Sequence, residues 1–383
     1  MVFLYRVLHE FTRYKKIIHE AIVMFPISFY AGRKALAVIR DKGFAQEDVK
    51  VVAGAAGGPK WLVLNHLDRV MFSSWFKGRK APLYFLGSSI GSWRFAAASQ
   101  KNPVEAIEKF QEAYIHQSYR AKPTPEKVSR GSRRIMDVFI DDTAIHEILS
   151  HPVFRLNFMA VRCRHILSSD KRVLLLSGLT AAFLFNAMGR GFLKYFFDRS
   201  LFYHPTDKPP FFNMSGFPIQ KIPLTKENFK AALLASGSIP LVMSGVQDIP
   251  GAFPGTYRDG GILDYHPDID FLNGGKGLVL YPHYSDRIIP GWFDKKLRYR
   301  RPCSKNMENV LMISPSKEFV ERLPHGKIPD RNDFSLFRGR DRKRFSYWLS
   351  VVQESKRLGD AFRDAVDSGR IRQLVKPMPF YSP

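Results

Sequence analysis

The sequence predicts an α/β fold of three layers, α/β/α, in which helices cover both faces of a mainly parallel central sheet. Two segments with the order strand, glycine turn, helix support this prediction, and they span residues 49–75 and 81–100. Two later apolar runs, 277–282 and 310–314, have the length and composition of buried strands. Strands that alternate with helices in this way are typical of parallel sheets.

Apolar periodicity and capping residues predict the helices of this fold. Four segments are predicted as helical: 34–44, 59–75, 225–237 and the basic stretch from 333 onward. The first closes at Gly43, since glycine readily ends a helix. The third begins after Thr225, a residue type that caps the first turn, and ends at Gly237.

The longest apolar stretch, residues 173–189, is interrupted by polar residues and is shorter than the roughly 20 residues that a membrane-spanning helix needs. We predict that it forms a buried helix pair. The alternative is a mobile, lipid-facing cover over a site, because basic residues flank the stretch on both sides.

The 383-residue chain is predicted to have three parts. Residues 1–48 form a basic, amphipathic N-terminal segment, 49–275 form the main domain, and 276–383 form a basic extension that packs on the same domain. The N-terminus lacks the apolar run and the cleavage site of a secretion signal, and its native start is either Met1 or Met24.

The chain is strongly basic, with 59 Lys and Arg against 35 Asp and Glu and a formal net charge of +24. This charge favours anionic partners, either phospholipid surfaces or nucleic acid. No helix-turn-helix or aromatic RNA-binding signature accompanies basic runs such as 129–134, so we expect an anionic membrane surface and not nucleic acid. Cys163 and Cys303 belong to no ligand cluster, which fits a cytoplasmic protein, with or without peripheral attachment to a membrane.

Ser89 is a candidate nucleophile because it lies between two glycines in the sequence GSSIG, after an apolar strand and before an alanine-rich helix. A sharp strand-to-helix turn exposes a serine hydroxyl only when its neighbours are very small. Gly87 and Gly91 occupy those positions. The context therefore predicts a nucleophile turn.

A second glycine turn, AGAAGGPKW, also follows a strand and precedes a helix. It has neither the Walker spacing nor the Gly-x-Gly-x-x-Gly pattern of a nucleotide site. Clustered backbone N–H groups suit an oxyanion hole equally well, and the predicted donors are Gly57, Gly58 and Ile90. Lys60 is predicted to bind an anionic group of the substrate.

Two kinds of base could activate Ser89. The first is a histidine oriented by a carboxylate, for which His266, His283 and His325 are the downstream candidates. The second is Asp259 itself, because the glycines that follow it in the sequence DGG let a loop approach the serine closely.

The three motifs and their order resemble the patatin-like phospholipase family. The resemblance rests on GGPK at 57–60, GSSIG at 87–91 and DGG at 259–261, with ASGSIP at 235–240 as a similar lead-in. It covers residues 49–267 and implies that 49–275 form a patatin-like hydrolase domain. Ala56 and Trp61 depart from the family's oxyanion motif, which has glycine at both positions.

What the resemblance implies is a Ser–Asp dyad that needs no metal or cofactor. Ser89 would attack an ester carbonyl, Asp259 would accept its proton, and the motif glycines Gly260 and Gly261 would shape the aspartate turn. The expected activity is that of a lipid acyl hydrolase acting on phospholipid or other lipid esters. Two alternatives remain: a soluble esterase or thioesterase with a Ser-His-Asp triad, and a basic binding protein with vestigial hydrolase motifs.

Overall fold

The computed structural model describes residues 25–119 and 122–381, which form a mixed α/β structure with a mainly parallel central sheet. The first half of the predicted amphipathic segment, with the alternative start at Met24, falls on residues 1–24, which lie outside the described residues. Over these described residues the sheet has 11 strands. Their bounds are β1 Ile27–Ala31, β2 Val49–Gly54, β3 Leu83–Ser88, β4 Phe154–Cys163, β5 Phe197–Tyr203, β6 Ile219–Pro223, β7 Val246–Gln247, β8 Thr256–Asp259, β9 Leu278–Pro282, β10 Val310–Pro315 and β11 Val375–Pro377.

The strand order is β11-β1-β10-β9-β2-β3-β4-β5-β6, and the short β7–β8 hairpin joins it where β8 pairs with β4. Strands β10, β9, β2, β3 and β4 run parallel at the centre of the sheet. Gly54 pairs with Gly87, so the turns that follow β2 and β3 lie side by side at the carboxyl ends of these two strands. Ser88 pairs with Met159 and Asp259 with Ala160, which places the end of β8 beside the end of β3.

Fourteen helices surround the sheet in the described residues. Their bounds are α1 Arg33–Lys42, α2 Asn65–Val70, α3 Ile90–Ala98, α4 Pro103–Ile115, α5 Pro125–Phe139, α6 Asp142–Leu149, α7 Arg172–Met188, α8 Lys226–Ser236, α9 Gly261–Asp264, α10 Lys317–Arg322, α11 Asp333–Leu336, α12 Asp341–Glu354, α13 Lys356–Asp367 and α14 Ile371–Leu374. Gly43 caps α1 and Thr225 caps α8, so both predicted boundaries are confirmed.

Residues 59–75 do not form the single regular helix that their periodicity predicts. A 3-10 segment, Gly58–Leu64, leads into α2, and a wider π turn, Met71–Trp75, follows it. In that turn the Ser73 and Ser74 hydroxyls donate to the carbonyl oxygens four residues earlier, at 2.6 and 2.7 Å. Serine side chains that bond to backbone carbonyls in this way loosen the local pitch of a helix.

Residues 173–188 belong to one helix, α7, which Gly189 caps, and the prediction of a buried helix pair is wrong. One face, with Leu175, Leu179 and Ala182, is buried in a small apolar cluster. The other face exposes apolar side chains, which we call the α7 surface: Val173, Leu174, Leu176, Leu184, Phe185 and Met188, continued by Phe192 and Tyr195 in the next turn. Among the described residues, no helix combines the length and the apolar character needed to cross a bilayer.

The segment 276–383, predicted as an extension that packs on the domain, supplies strands to the central sheet itself. Strands β9 and β10 lie between β1 and β2, and β11 adds the edge strand next to β1. The core is continuous across the predicted boundary, because side chains such as Val52, Leu280 and Ile313 are fully buried in one apolar cluster.

Candidate active site

Ser89 lies at the turn between β3 and α3 with φ 54° and ψ −125°. A positive φ at a residue with a side chain is strained, at a cost of about 1–3 kcal/mol, and such strain is common where a side chain must project into a site. The glycines around it are required by close approach. A Cβ at Gly87 would lie 2.5 Å from the Ser92 nitrogen, and one at Gly91 would overlap the carbonyl oxygen of Gly54.

Ser236 holds this turn in place. Its hydroxyl accepts from the Ser89 N–H at 3.1 Å and from the Ser92 hydroxyl at 2.8 Å, and it donates to the Met159 carbonyl at 2.7 Å. The Ser89 N–H is therefore occupied, which leaves the N–H of Ile90 as the donor next to the hydroxyl. Apart from its place in ASGSIP, no sequence feature marks Ser236.

The Ser89 hydroxyl donates to Oδ2 of Asp259 at 2.7 Å, across 170 positions of sequence. The other carboxylate oxygen accepts from the Gly261 N–H at 2.7 Å, so both oxygens of Asp259 are fixed. The aspartate turn is anchored to the same segment as the serine turn, because Asp259 donates its N–H to Ser238 and Gly260 donates to Ser236. A Cβ at Gly260 would overlap the Met159 carbonyl, which explains the glycine.

Burial raises the pKa of Asp259 above its ordinary value. The hydrogen bonds from Ser89 and Gly261 and the positive charges of Arg331 and Lys295 act in the opposite direction and favour the ionised form. A carboxylate with a raised pKa is a stronger base. Asp259 is therefore suited to take a proton from the hydroxyl that it touches.

The three predicted oxyanion donors have free N–H groups. Within residues 25–119 and 122–381, the backbone N–H groups of Gly57, Gly58 and Ile90 donate to no acceptor. Gly58 has φ 57°, a left-handed conformation that glycine adopts without strain. Gly58, Ser89 and Ile90 line the same cavity, so the arrangement leaves donors available beside the serine hydroxyl.

A chain of hydrogen bonds holds the glycine turn. The Tyr284 hydroxyl donates to the Ala56 carbonyl at 2.6 Å, and His266 Nε2 donates to that hydroxyl at 2.7 Å. The ring of Tyr284 is also the reason for glycine at position 57, where a Cβ would lie 2.6 Å from a ring carbon. Trp61, which stands where the patatin-like oxyanion motif has glycine, is buried in the core and stacks on Phe110 with ring centroids 4.5 Å apart.

Replacing Tyr284 with Phe should lower the free energy of unfolding by about 1–3 kcal/mol, because it leaves the Ala56 carbonyl and the His266 N–H buried without their partner. Tyr281→Phe is the matched control, since the buried Tyr281 hydroxyl has no hydrogen-bond partner among the described residues. We expect Tyr281→Phe to be neutral or stabilising. Urea unfolding of both variants tests this, and equal losses of stability would contradict the supporting role of Tyr284.

None of the three candidate histidines bonds to Ser89 in the part of the chain that the structure describes. His266 accepts from the Ile289 N–H at 2.9 Å through Nδ1, and burial lowers its pKa well below the ordinary value. Burial likewise lowers the pKa of His283 to about 3. His325 packs against aromatic rings of the C-terminal segment. The structure thus brings together Ser89 and Asp259, and it gives these histidines other contacts.

Three cationic side chains lie around the dyad, and the sequence indicated only one of them. Lys60 lies over the Tyr284 ring at 4.8 Å, and Lys295 lies over the Tyr265 ring at 3.9 Å. Arg331 lies against the glycine turn, since a Cβ at Gly58 would be 3.1 Å from its Nε. Lys295 and Arg331 come from the segment predicted as an extension, where no motif marks them.

The cavity at Ser89 has a volume of about 330 Å³. Its walls are largely apolar, with Trp93, Tyr114, Ile135, Val128, Ile239, Val242, Met243 and Phe334 among the lining residues. Cationic side chains also line it: Lys122, Arg331 and Arg338. An apolar pocket of this size with a few polar groups is typical of a small-molecule site.

A comparison of the chain with models of known families gives no match, and a search of characterised proteins finds no significant relative.

Proposed function

We propose that the protein is a serine hydrolase of carboxylic esters, a lipid acyl hydrolase of the patatin-like phospholipase type. The hydrogen bond of 2.7 Å between the Ser89 hydroxyl and the Asp259 carboxylate is the observation that supports this most strongly. The motifs at 57–60, 87–91 and 259–261 meet at one edge of the sheet, as a three-layer patatin-like arrangement requires.

In the acylation step, Ser89 Oγ attacks the ester carbonyl carbon while its proton passes to Asp259. The carbonyl oxygen becomes an oxyanion and accepts hydrogen bonds from the N–H groups of Gly57, Gly58 and Ile90. The bond from the carbonyl carbon to the alcohol oxygen then breaks. The alcohol leaves with the proton held by Asp259, and the acyl group stays on Ser89.

In the second step, water gives a proton to Asp259 and attacks the acyl carbon. The same three N–H groups stabilise the second oxyanion. The bond to Ser89 Oγ breaks, the proton returns to Ser89, and the carboxylic acid is released. One ester and one water thus give one alcohol and one acid, and each proton transfer uses the same carboxylate.

Two features favour a lipid as the ester. The cavity at Ser89 is lined mostly by apolar side chains, which suits an acyl chain. The α7 surface presents a row of exposed apolar side chains, and residues 171–197 contain basic residues but no Asp or Glu. An apolar face bordered by cations suits an anionic phospholipid bilayer, which is the partner we propose for this surface.

A fluorophosphonate probe, which reacts covalently with activated serines, tests the proposed function. We expect the wild type to be labelled and Ser89→Ala to be unlabelled. The neighbouring Ser88→Ala is the matched control and should keep the label, since the buried Ser88 hydroxyl has no hydrogen-bond partner among the described residues. An unlabelled wild type, or a label that persists in Ser89→Ala, would support a binding protein or a different nucleophile instead.

A further inference from the structure

The cations beside the dyad have no salt-bridge partner of their own. Over residues 25–119 and 122–381, Lys60, Lys295 and Arg331 form no ion pair within 4.0 Å. Asp330 lies close enough to affect Lys60 electrostatically, but its carboxylate pairs with Lys327 at 3.1 Å. Asp259 is the other nearby carboxylate, and it is bonded to Ser89.

The three cations converge on one place. The rings under Lys60 and Lys295 belong to Tyr284 and Tyr265, whose hydroxyl oxygens are 3.3 Å apart. Arg331 lines the cavity that contains Ser89, and it also lines the small adjoining space beside Asp259 and Tyr265. The three partly buried positive charges therefore lie close to one another, and two of them, Lys295 and Arg331, lie near the Asp259 carboxylate beside the reacting hydroxyl.

Partly buried cations without partners are costly, and an anion that binds between them removes much of that cost. We propose that Lys60, Lys295 and Arg331 bind an anionic phosphate on the substrate, so that the enzyme prefers acyl esters whose phosphate head group carries no cation. This inference rests on the proposed ester hydrolysis at Ser89. Phosphatidate has such a head group, whereas the trimethylammonium of phosphatidylcholine would be repelled by the same charges.

Head-group kinetics in nonionic detergent micelles test this, because the detergent removes any effect of vesicle charge. We expect kcat/KM of the wild type to be about tenfold or more higher for phosphatidate than for phosphatidylcholine. Lys295→Met and Arg331→Gln should each reduce that ratio about tenfold. Lys296→Met, at the exposed neighbouring lysine, should leave the ratio as it is in the wild type.

The pH dependence of the preference for phosphatidate tests whether Lys295 contributes its positive charge or only a structural contact. Burial, with the charges of Arg331 and Lys60, lowers the pKa of Lys295 to about 7, and Asp259 opposes this shift. Burial raises the pKa of Tyr265, so its hydroxyl stays neutral in the same range. Above pH 7 the free enzyme loses the Lys295 charge, and the preference for phosphatidate should weaken. Lys295→Arg should keep the preference and abolish its decline with pH.

Binding gives a second readout that does not need turnover. A diether analogue of phosphatidate should raise the thermal unfolding temperature of the wild type and much less that of Lys295→Met. Equal kcat/KM for the two head groups, or equal protection of both proteins, would overturn the inference. Protection by inorganic phosphate as strong as that by the analogue would also overturn it, because it indicates a site for the free ion.

The same measurements distinguish this failure from a failure of the proposed function. If the wild type hydrolyses p-nitrophenyl butyrate in a Ser89-dependent way but shows equal kcat/KM for the two head groups, the proposed hydrolase function is supported and the phosphate site is contradicted. If the wild type hydrolyses no ester but binds the diether analogue through Lys295 and Arg331, the phosphate site is supported and the proposed hydrolase function is contradicted.

Discussion

Asp259→Asn should lower kcat/KM for p-nitrophenyl butyrate by about 10⁴-fold, because an amide cannot accept the proton of Ser89. The variant should nevertheless fold. Its side chain has nearly the same shape, its oxygen can still accept from the Gly261 N–H, and its amide can donate to the serine oxygen. Since burial raises the pKa of Asp259, the ionised carboxylate destabilises the fold at neutral pH. We therefore expect the unfolding temperature of the variant to equal or exceed that of the wild type.

The control is Asp248→Asn, the same substitution at an exposed aspartate in the turn between β7 and β8. It should leave the rate unchanged. In the wild type, kcat/KM should fall as the pH drops through the raised pKa of Asp259, because only the ionised carboxylate is a base. An Asp259→Asn variant that keeps a tenth of the wild-type rate would show that another group activates the serine.

The double variant Leu184→Glu with Met188→Glu should bind anionic vesicles at least 100-fold more weakly than the wild type. Each buried apolar side chain contributes about 1.5–3 kcal/mol to the affinity, and the two new carboxylates are repelled by anionic lipid. Both residues lie on the exposed face of α7, where they make few contacts with the fold. Cosedimentation with vesicles of mixed phosphatidylcholine and phosphatidylglycerol measures the effect.

Val138→Glu with Phe253→Glu is the matched control, since these residues are exposed and apolar and the change in net charge is the same. It should bind vesicles nearly as tightly as the wild type. Equal weakening in both double variants would mean that net charge alone drives binding. A wild-type dimer that the α7 variant converts to a monomer, with vesicle binding unchanged, would identify the α7 surface as an interface between two copies of the chain.

The parts of the site that were predictable are those that local geometry dictates. The turn at Ser89 needs very small neighbours, and the aspartate turn needs glycine at 260, so sequence alone locates both. Their contact was a hypothesis from motif order, and the register of β3, β4 and β8 provides its physical basis. The catalytic roles proposed for Ser89 and Asp259 remain predictions.

The parts that were not predictable depend on contacts between distant segments. Lys295 and Arg331 belong to ordinary basic stretches, and only the packing of 276–383 into the sheet brings them to the dyad. The α7 helix is apolar on nearly all sides, so its periodicity does not indicate which face is buried. Within the predicted helix 59–75, the bonds from Ser73 and Ser74 to backbone carbonyls accompany a wider turn at Met71–Trp75, which apolar spacing does not indicate.

The insertion of β9 and β10 between β1 and β2 has a consequence for biosynthesis. When the ribosome has translated the first 277 residues, the chain that carries both dyad residues has been made, but one edge of β2 still has no neighbouring strand. Pairings this distant in sequence form late and slowly. A nascent or prematurely terminated chain therefore exposes an unpaired strand edge, which makes it prone to aggregate until β9 and β10 are added.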